Sequence, residues 1–143
     1  MTFERPKRAV QRVFLHCSAS DDETLVGNHI VDEIRNWHKA RGWSDVGYHF
    51  LIDKLGGVFE GRPLDFTPAA QKGHNTATIA IMVHGLKDFS DASLTALQAL
   101  CGEINEAYSG RISFHGHCEV ANKSCPAFEY KDVLVLDRFG RMP

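Results

Sequence analysis

The run Thr78-Ile79-Ala80-Ile81-Met82-Val83 is almost unbroken in apolar residues. A strand with one wet face would alternate. A continuous run of this length predicts a central strand covered on both faces. Upstream, Val13-Phe14-Leu15 is a short β-rich run that ends at His16 and meets the turn-forming Ser18-Ala-Ser-Asp-Asp. Ile30, Ile34 and Trp37 fall at i, i+4 and i+7 among charged neighbours, an amphipathic helix stopped by Gly42. Tyr48 to Asp53 reads as a strand, Gly56-Gly57 as a turn, and Val58-Phe59-Glu60 as its hairpin partner. Downstream, Ser90 is a candidate N-cap for a helix carrying Leu94, Leu97, Cys101, Ile104 and Tyr108 on one stripe. Arg111 to Phe114 predicts another short strand, and Tyr130 to Phe139 a last short helix. Strands alternating with helices give one α/β (α+β) domain whose helices cover the faces of a central sheet.

The composition agrees. The chain has 143 residues, 43% apolar and 24% charged, which suits one domain with a real core rather than two. Sixteen basic against eighteen acidic side chains give a net charge of −2, so no nucleic-acid partner held by a basic field is implied. No apolar run reaches the roughly 20 residues of a membrane span, and the basic start has no signal-peptide core behind it. The expectation is a chain made in the cytoplasm without a signal peptide, with residues 1–10 as a loosely attached arm. A monomer is expected, since no long exposed apolar stripe is evident.

Eight His and four Cys stand out. Cys17, Cys101, Cys118 and Cys125 allow a disulfide framework, but a cytoplasmic chain with a core of this size neither needs nor keeps one. His16 and His117 each follow a predicted strand, and Cys125 lies eight residues beyond His117 in Lys123-Ser-Cys-Pro. Two imidazoles and a thiolate suit zinc, and three protein ligands are the pattern of a catalytic site. Spacing alone leaves two plainer readings open: a polar residue satisfied at a strand end, and a cysteine in the core.

Several longer motifs weigh on that choice. Val13-Phe-Leu-His16-Cys-Ser-Ala-Ser is followed by Ile34-Arg-Asn-Trp37-His38-Lys-Ala-Arg-Gly42-Trp43-Ser-Asp45-Val-Gly47-Tyr48-His49-Phe50. Gly56-Gly-Val-Phe-Glu-Gly61-Arg62, Lys72-Gly73-His-Asn75 and His117-Cys-Glu119-Val-Ala-Asn-Lys123-Ser-Cys125-Pro126 come after them. In order and spacing, over roughly residues 11 to 128, they resemble the type-2 N-acetylmuramoyl-L-alanine amidases. The likeness is greatest to the compact amidase endolysins of tailed bacteriophages, which are related to peptidoglycan-recognition proteins.

The resemblance implies a central mixed β-sheet flanked by helices, with residues 11–143 as a zinc amidase domain and no separate wall-binding domain. It implies one zinc ion on His16, His117 and Cys125, with Tyr48 and Lys123 as catalytic partners. The substrate would be peptidoglycan, cut between the lactyl group of muramic acid and L-alanine. Release to the wall would depend on a holin-like partner. In the chemistry so implied, the metal activates water, Lys123 stabilises the oxyanion, and Tyr48 orients water or relays a proton to the leaving amine.

Other residues receive structural roles: His38 as helix packing, His49 facing away from Tyr48, Trp37 and Trp43 as core anchors, and Cys101 as core. Cys17 and Cys118 are expected to pack or support the ligands, and Glu119 to orient a ligand imidazole. Two departures from the family pattern bear on substrate contacts. Ala70 stands where relatives often carry His, with His74 as a candidate replacement. His84-Gly85 stands where paired glycines are frequent. The rival functions are a cysteine peptidase of wall peptides using Cys125 or Cys17 with His117 as base, and a non-catalytic module binding peptidoglycan or a protein.

Overall fold

Thr78–Val83 is buried along its whole length and lies in the middle of the sheet. A computed structural model describes residues 2–143. The elements are β1 (Arg12–Cys17), α1 (His29–Ala40), β2 (Phe50–Ile52), β3 (Val58–Glu60), β4 (Thr78–Val83), α2 (Asp91–Ala107), β5 (Ser113–Gly116), a 3-10 turn (His117–Glu119) and α3 (Tyr130–Val133). The strand order is β3-β2-β4-β1-β5, with β1 parallel to both β4 and β5, β2 parallel to β4, and β3 antiparallel at the edge. The sheet is therefore mixed, and the hairpin read around Gly56-Gly57 is its one antiparallel pair among the described residues.

The two faces are used differently. Val13 and Leu15 of β1 and Ile79, Ile81 and Val83 of β4 pack with Leu97, Leu100, Cys101 and Ile104 of α2. That face is apolar throughout. Each fully buried aliphatic side chain there contributes about 1.5–3 kcal/mol. On the other face Met82 and Leu51 pack with Ile30, Val31 and Ile34 of α1. Helix α1 thus covers β2 and β4, and the β1 end of the same face is left for other groups. Helix α2 begins as read: the Ser90 hydroxyl accepts from the Ser93 N–H (3.1 Å) and donates to the Lys54 carbonyl (2.6 Å).

Several expectations shift. Strand β5 starts two residues later than Arg111, whose N–H closes the turn after α2 on the Tyr108 carbonyl (3.0 Å). The last helix is a single turn, Tyr130–Val133. Trp43 is 38% exposed and is not a core anchor. Trp37 is half-buried and donates through Nε1 to Glu33 (3.0 Å). No helix among the described residues is long and apolar enough to cross a membrane.

Residues 2–10 form no helix or strand, yet they are not loose. Phe3 is buried against Phe50 and Tyr108, with ring centroids 6.3 and 6.2 Å away, and its N–H donates to Glu103 (3.0 Å). Arg8 donates through Nε to the Leu64 carbonyl (2.7 Å). The Phe3→Ala variant is expected to lose about 3 kcal/mol in urea unfolding, the low end for a buried aromatic. A loss below about 0.5 kcal/mol, typical of a surface change, would return the segment to a free arm.

Candidate metal centre and active site

Register places the first site residue. His16 pairs with Met82 across the β1–β4 ladder, so both side chains leave the sheet on the α1 face. His117 opens the 3-10 turn directly after β5, the strand on the other side of β1. Cys125 comes from the following loop, which is tied back by two main-chain N–H groups. The Cys17 N–H donates to Cys125 Sγ (3.2 Å), and the Cys118 N–H donates to the Cys125 carbonyl (2.7 Å). Gly116 makes the close approach possible: a Cβ there would stand 2.6 Å from the Tyr130 ring and 2.9 Å from Pro126.

One ligand atom from each of His16, His117 and Cys125 lies within 4.8 Å of the others. The two imidazole centroids are 4.6 Å apart, and Cys125 Sγ is 3.9 Å from His16 Nδ1. On a tetrahedral zinc, with bonds of about 2.0–2.3 Å, ligand atoms lie about 3.3–3.8 Å from one another. A contraction of about an ångström closes that difference, so these residues fit the ion. Burial, and next the His117 imidazole, hold the His16 imidazole neutral with its pKa down to about 3. Burial and the Lys123 ammonium lower His117 as well. Both rings therefore offer lone pairs at neutral pH. The Cys125 thiol is pushed up, first by the hydrogen bond it shares with the Cys17 thiol and then by burial. Its proton is one that a metal ion displaces on binding.

Tyr48 precedes β2 and reaches the same place, its ring centroid 5.1 Å from that of His16. Burial raises the phenol well above its usual value, so it remains protonated at neutral pH. Gly47 seats it: a Cβ there would meet the Ala69 carbonyl at 2.1 Å, and the Gly47 N–H donates to His38 Nδ1 (2.8 Å). His38 is thus the buried packing residue expected, its ring tilted against those of Trp43 and Tyr48 with centroids 4.5 and 5.3 Å away. Lys123 is exposed and lines, with His117, a groove of about 760 Å³. Arg41, Lys72 and Trp43 also line it, and no carboxylate stands among its described walls.

Other residues settle elsewhere. His49 accepts the Ala80 N–H at Nδ1 (3.1 Å) and donates from Nε2 to the Phe66 carbonyl (2.8 Å), a structural role on the buried side. Cys101 is buried in the α2 face, Cys17 is buried at the end of β1, and Cys118 is exposed because the 3-10 turn projects it outward. Glu119 does not reach a ligand imidazole. It accepts from Tyr130 Oη (2.6 Å), His115 Nδ1 (2.9 Å) and the Gly116 N–H (2.9 Å), bracing the turn that carries His117. His84 holds the loop after β1, with Nδ1 2.6 Å from Ser18 Oγ and Nε2 donating to the Asp22 carbonyl (2.7 Å). Ala70 lines the groove, whereas His74 is exposed outside it. The residue that sequence reasoning missed is Gln71, fully buried with Oε1 2.8 Å from His16 Nε2. Its one advance signal was a long polar side chain between Ala70 and the Lys72-Gly73 turn.

Comparison with known proteins bears on family and fold. The family model described as N-acetylmuramoyl-L-alanine amidase matches residues 6–128. The endolysin of Klebsiella phage KP32 is 37% identical over 133 residues, covering 87% of this chain and 85% of that protein. Peptidoglycan-recognition protein SC1a of Drosophila melanogaster is 30% identical over 118 residues, 78% of this chain and 64% of the relative. Among solved structures, the N-acetylmuramoyl-L-alanine amidase LysC from Clostridium intestinale URNW superposes with a TM-score of 0.77 at 23% identity. That superposition covers 94% of this chain and 93% of the other, and it shows the shared fold. With a family match over most of its length and a phage relative aligned nearly end to end, the chain belongs to the N-acetylmuramoyl-L-alanine amidase family.

Proposed function

We propose that the chain is a zinc-dependent endolysin that hydrolyses the amide between the muramic acid lactyl group and L-alanine of peptidoglycan. The observation that carries this reading is the convergence of His16, His117 and Cys125 beside a groove walled by Arg41, Lys72 and Lys123. A cationic groove suits a stem peptide, which carries free carboxylates. Zinc on those three donors supplies Lewis acidity to water and to the scissile carbonyl.

The chain's own residues supply the rest. The groove orients the stem peptide so that its first amide faces the three ligands. The Lys123 ammonium, on its exposed stem, meets the negative charge that develops on the carbonyl oxygen. Tyr48, kept protonated by burial, acts as hydrogen-bond donor and passes a proton to the leaving nitrogen of L-alanine, which a proton of the attacking water replaces. Residues 11–143 form the catalytic unit, acting as a monomer on the cell wall after release by a holin-like partner. The cysteine-peptidase alternative needs a nucleophilic thiolate and a basic imidazole. The Cys125 thiol is pushed up, and Cys17 is buried at the end of β1 although the hydrogen bond it shares with Cys125 lowers its thiol. Burial lowers the basicity of His117, and together these disfavour that route.

Incubation with sacculi, followed by mass analysis, is expected to release stem peptides that begin with L-alanine. The release should stop with chelator and return with added zinc. Cleavage inside the peptide would favour the cysteine enzyme, and binding without cleavage a recognition module. Two variants separate metal binding from chemistry. Cys125→Ala should lose bound zinc and activity together. Lys123→Ala should keep its zinc and lose about 10²–10³-fold in turnover, the scale of a lost oxyanion partner. Normal turnover in Lys123→Ala would remove that role.

A further inference from the structure

Gln71 and Thr78 are both fully buried, in a hydrogen-bonded chain that ends on His16. Its polarity is fixed at the far end. The Thr78 hydroxyl donates to the main-chain carbonyl of Asn75 (2.8 Å), so its oxygen accepts from Gln71 Nε2 (2.8 Å). The same amide nitrogen donates to the His74 carbonyl (3.3 Å). Carbonyl oxygens only accept, and the Thr78 hydroxyl proton is committed to Asn75, so the Gln71 NH₂ must face His74 and Thr78 and its Oε1 must face His16. An amide oxygen also only accepts. The proton of His16 therefore sits on Nε2, 2.8 Å away, and the lone pair sits on Nδ1. Nδ1 is the nitrogen 3.9 Å from Cys125 Sγ.

The loop that carries Gln71 is held independently of that side chain. The Ala70 and Gln71 N–H groups both donate to Asn75 Oδ1 (3.1 and 2.9 Å), and the His74 N–H donates to the Gln71 carbonyl (2.8 Å). The side chain thus projects inward from a closed turn, at the position next to Ala70.

We infer that Gln71 is a positioning residue that locks His16 in its Nε2–H form, so that Nδ1 faces the ion shared with His117 and Cys125. The inference deepens the metal reading given above and rests on it. A neutral amide does this without the charge that a carboxylate would bring, so it sets the ring's direction without adding a negative charge next to the ion.

The test uses zinc affinity, by competition with a chromophoric chelator, together with the His16 ring-nitrogen resonances of the zinc-free protein. Gln71→Leu keeps the bulk and removes the acceptor, and is expected to weaken zinc binding about 10–100-fold. Gln71→Glu, favoured as the neutral acid by full burial, keeps an oxygen acceptor toward His16 and an O–H donor toward Thr78, and should weaken zinc binding less than Gln71→Leu does. In the unmutated, zinc-free protein the ¹⁵N shifts of His16 should report the Nε2–H form, a readout that depends on no variant folding. Zinc affinity unchanged in Gln71→Leu, equal weakening in both variants, or an Nδ1–H form of His16 would each overturn the positioning role. Failure of the unmutated protein to bind zinc would instead overturn the metal reading, with the His16 resonances still reporting on Gln71.

Discussion

The parallel pairing of β1 with β4 is the contact on which the molecule depends. It sets Val13 and Leu15 against Ile79 and Ile81 for the α2 face, and sets His16 beside Met82 on the other. Side chains on a strand have a period of two, so a slip of one residue would send His16 into the apolar layer under α2 and bring Leu15 to the ligands. Burying an imidazole there without partners would cost on the order of 1–3 kcal/mol, and the exchange would also open the core. The pressure that keeps the core intact is therefore the same pressure that keeps the site aligned.

Around that fixed point the site is gathered from segments far apart in the chain. Cys125 is tethered by the Cys17 and Cys118 N–H groups, Tyr48 by the close approach of Gly47 to Ala69, and His117 by the turn that Glu119 braces. Most of these ties are main-chain hydrogen bonds or steric seats rather than ion pairs. Such contacts specify distance and direction and vary little with ionic strength. Charge is concentrated instead on the groove wall, where Arg41, Lys72 and Lys123 face solvent.

Much of this was legible in the sequence, and the reasons for the rest are specific. The unbroken run of β4, the stripes of α1 and α2, the Ser90 cap and the hairpin turn are local signals, each written within a few residues. The serial motifs likewise picked out the residues that the structure brings together at His16, His117 and Cys125. Trp43 was misplaced because size suggests burial, whereas its position just past the end of α1 puts it on a groove wall. Glu119 was paired with the wrong partner because sequence distance to His117 says nothing of direction inside a 3-10 turn. Gln71 lies 55 residues from His16, and no periodicity links them. Phe3 reaches the core through contacts with residues 47 and 105 positions away.

The unequal use of the two sheet faces bears on how such a chain can change over generations. Every candidate ligand and groove residue named above lies off the α2 side, whose packed cluster is apolar. Substitutions that conserve volume under α2 alter stability without touching the reacting groups, so that half of the protein can drift while the other stays nearly fixed. Variation among descendants should therefore be lopsided, with α2 acting as a reservoir of neutral change. The stability gained or lost there sets how many costly experiments with new substrate contacts the opposite face can survive.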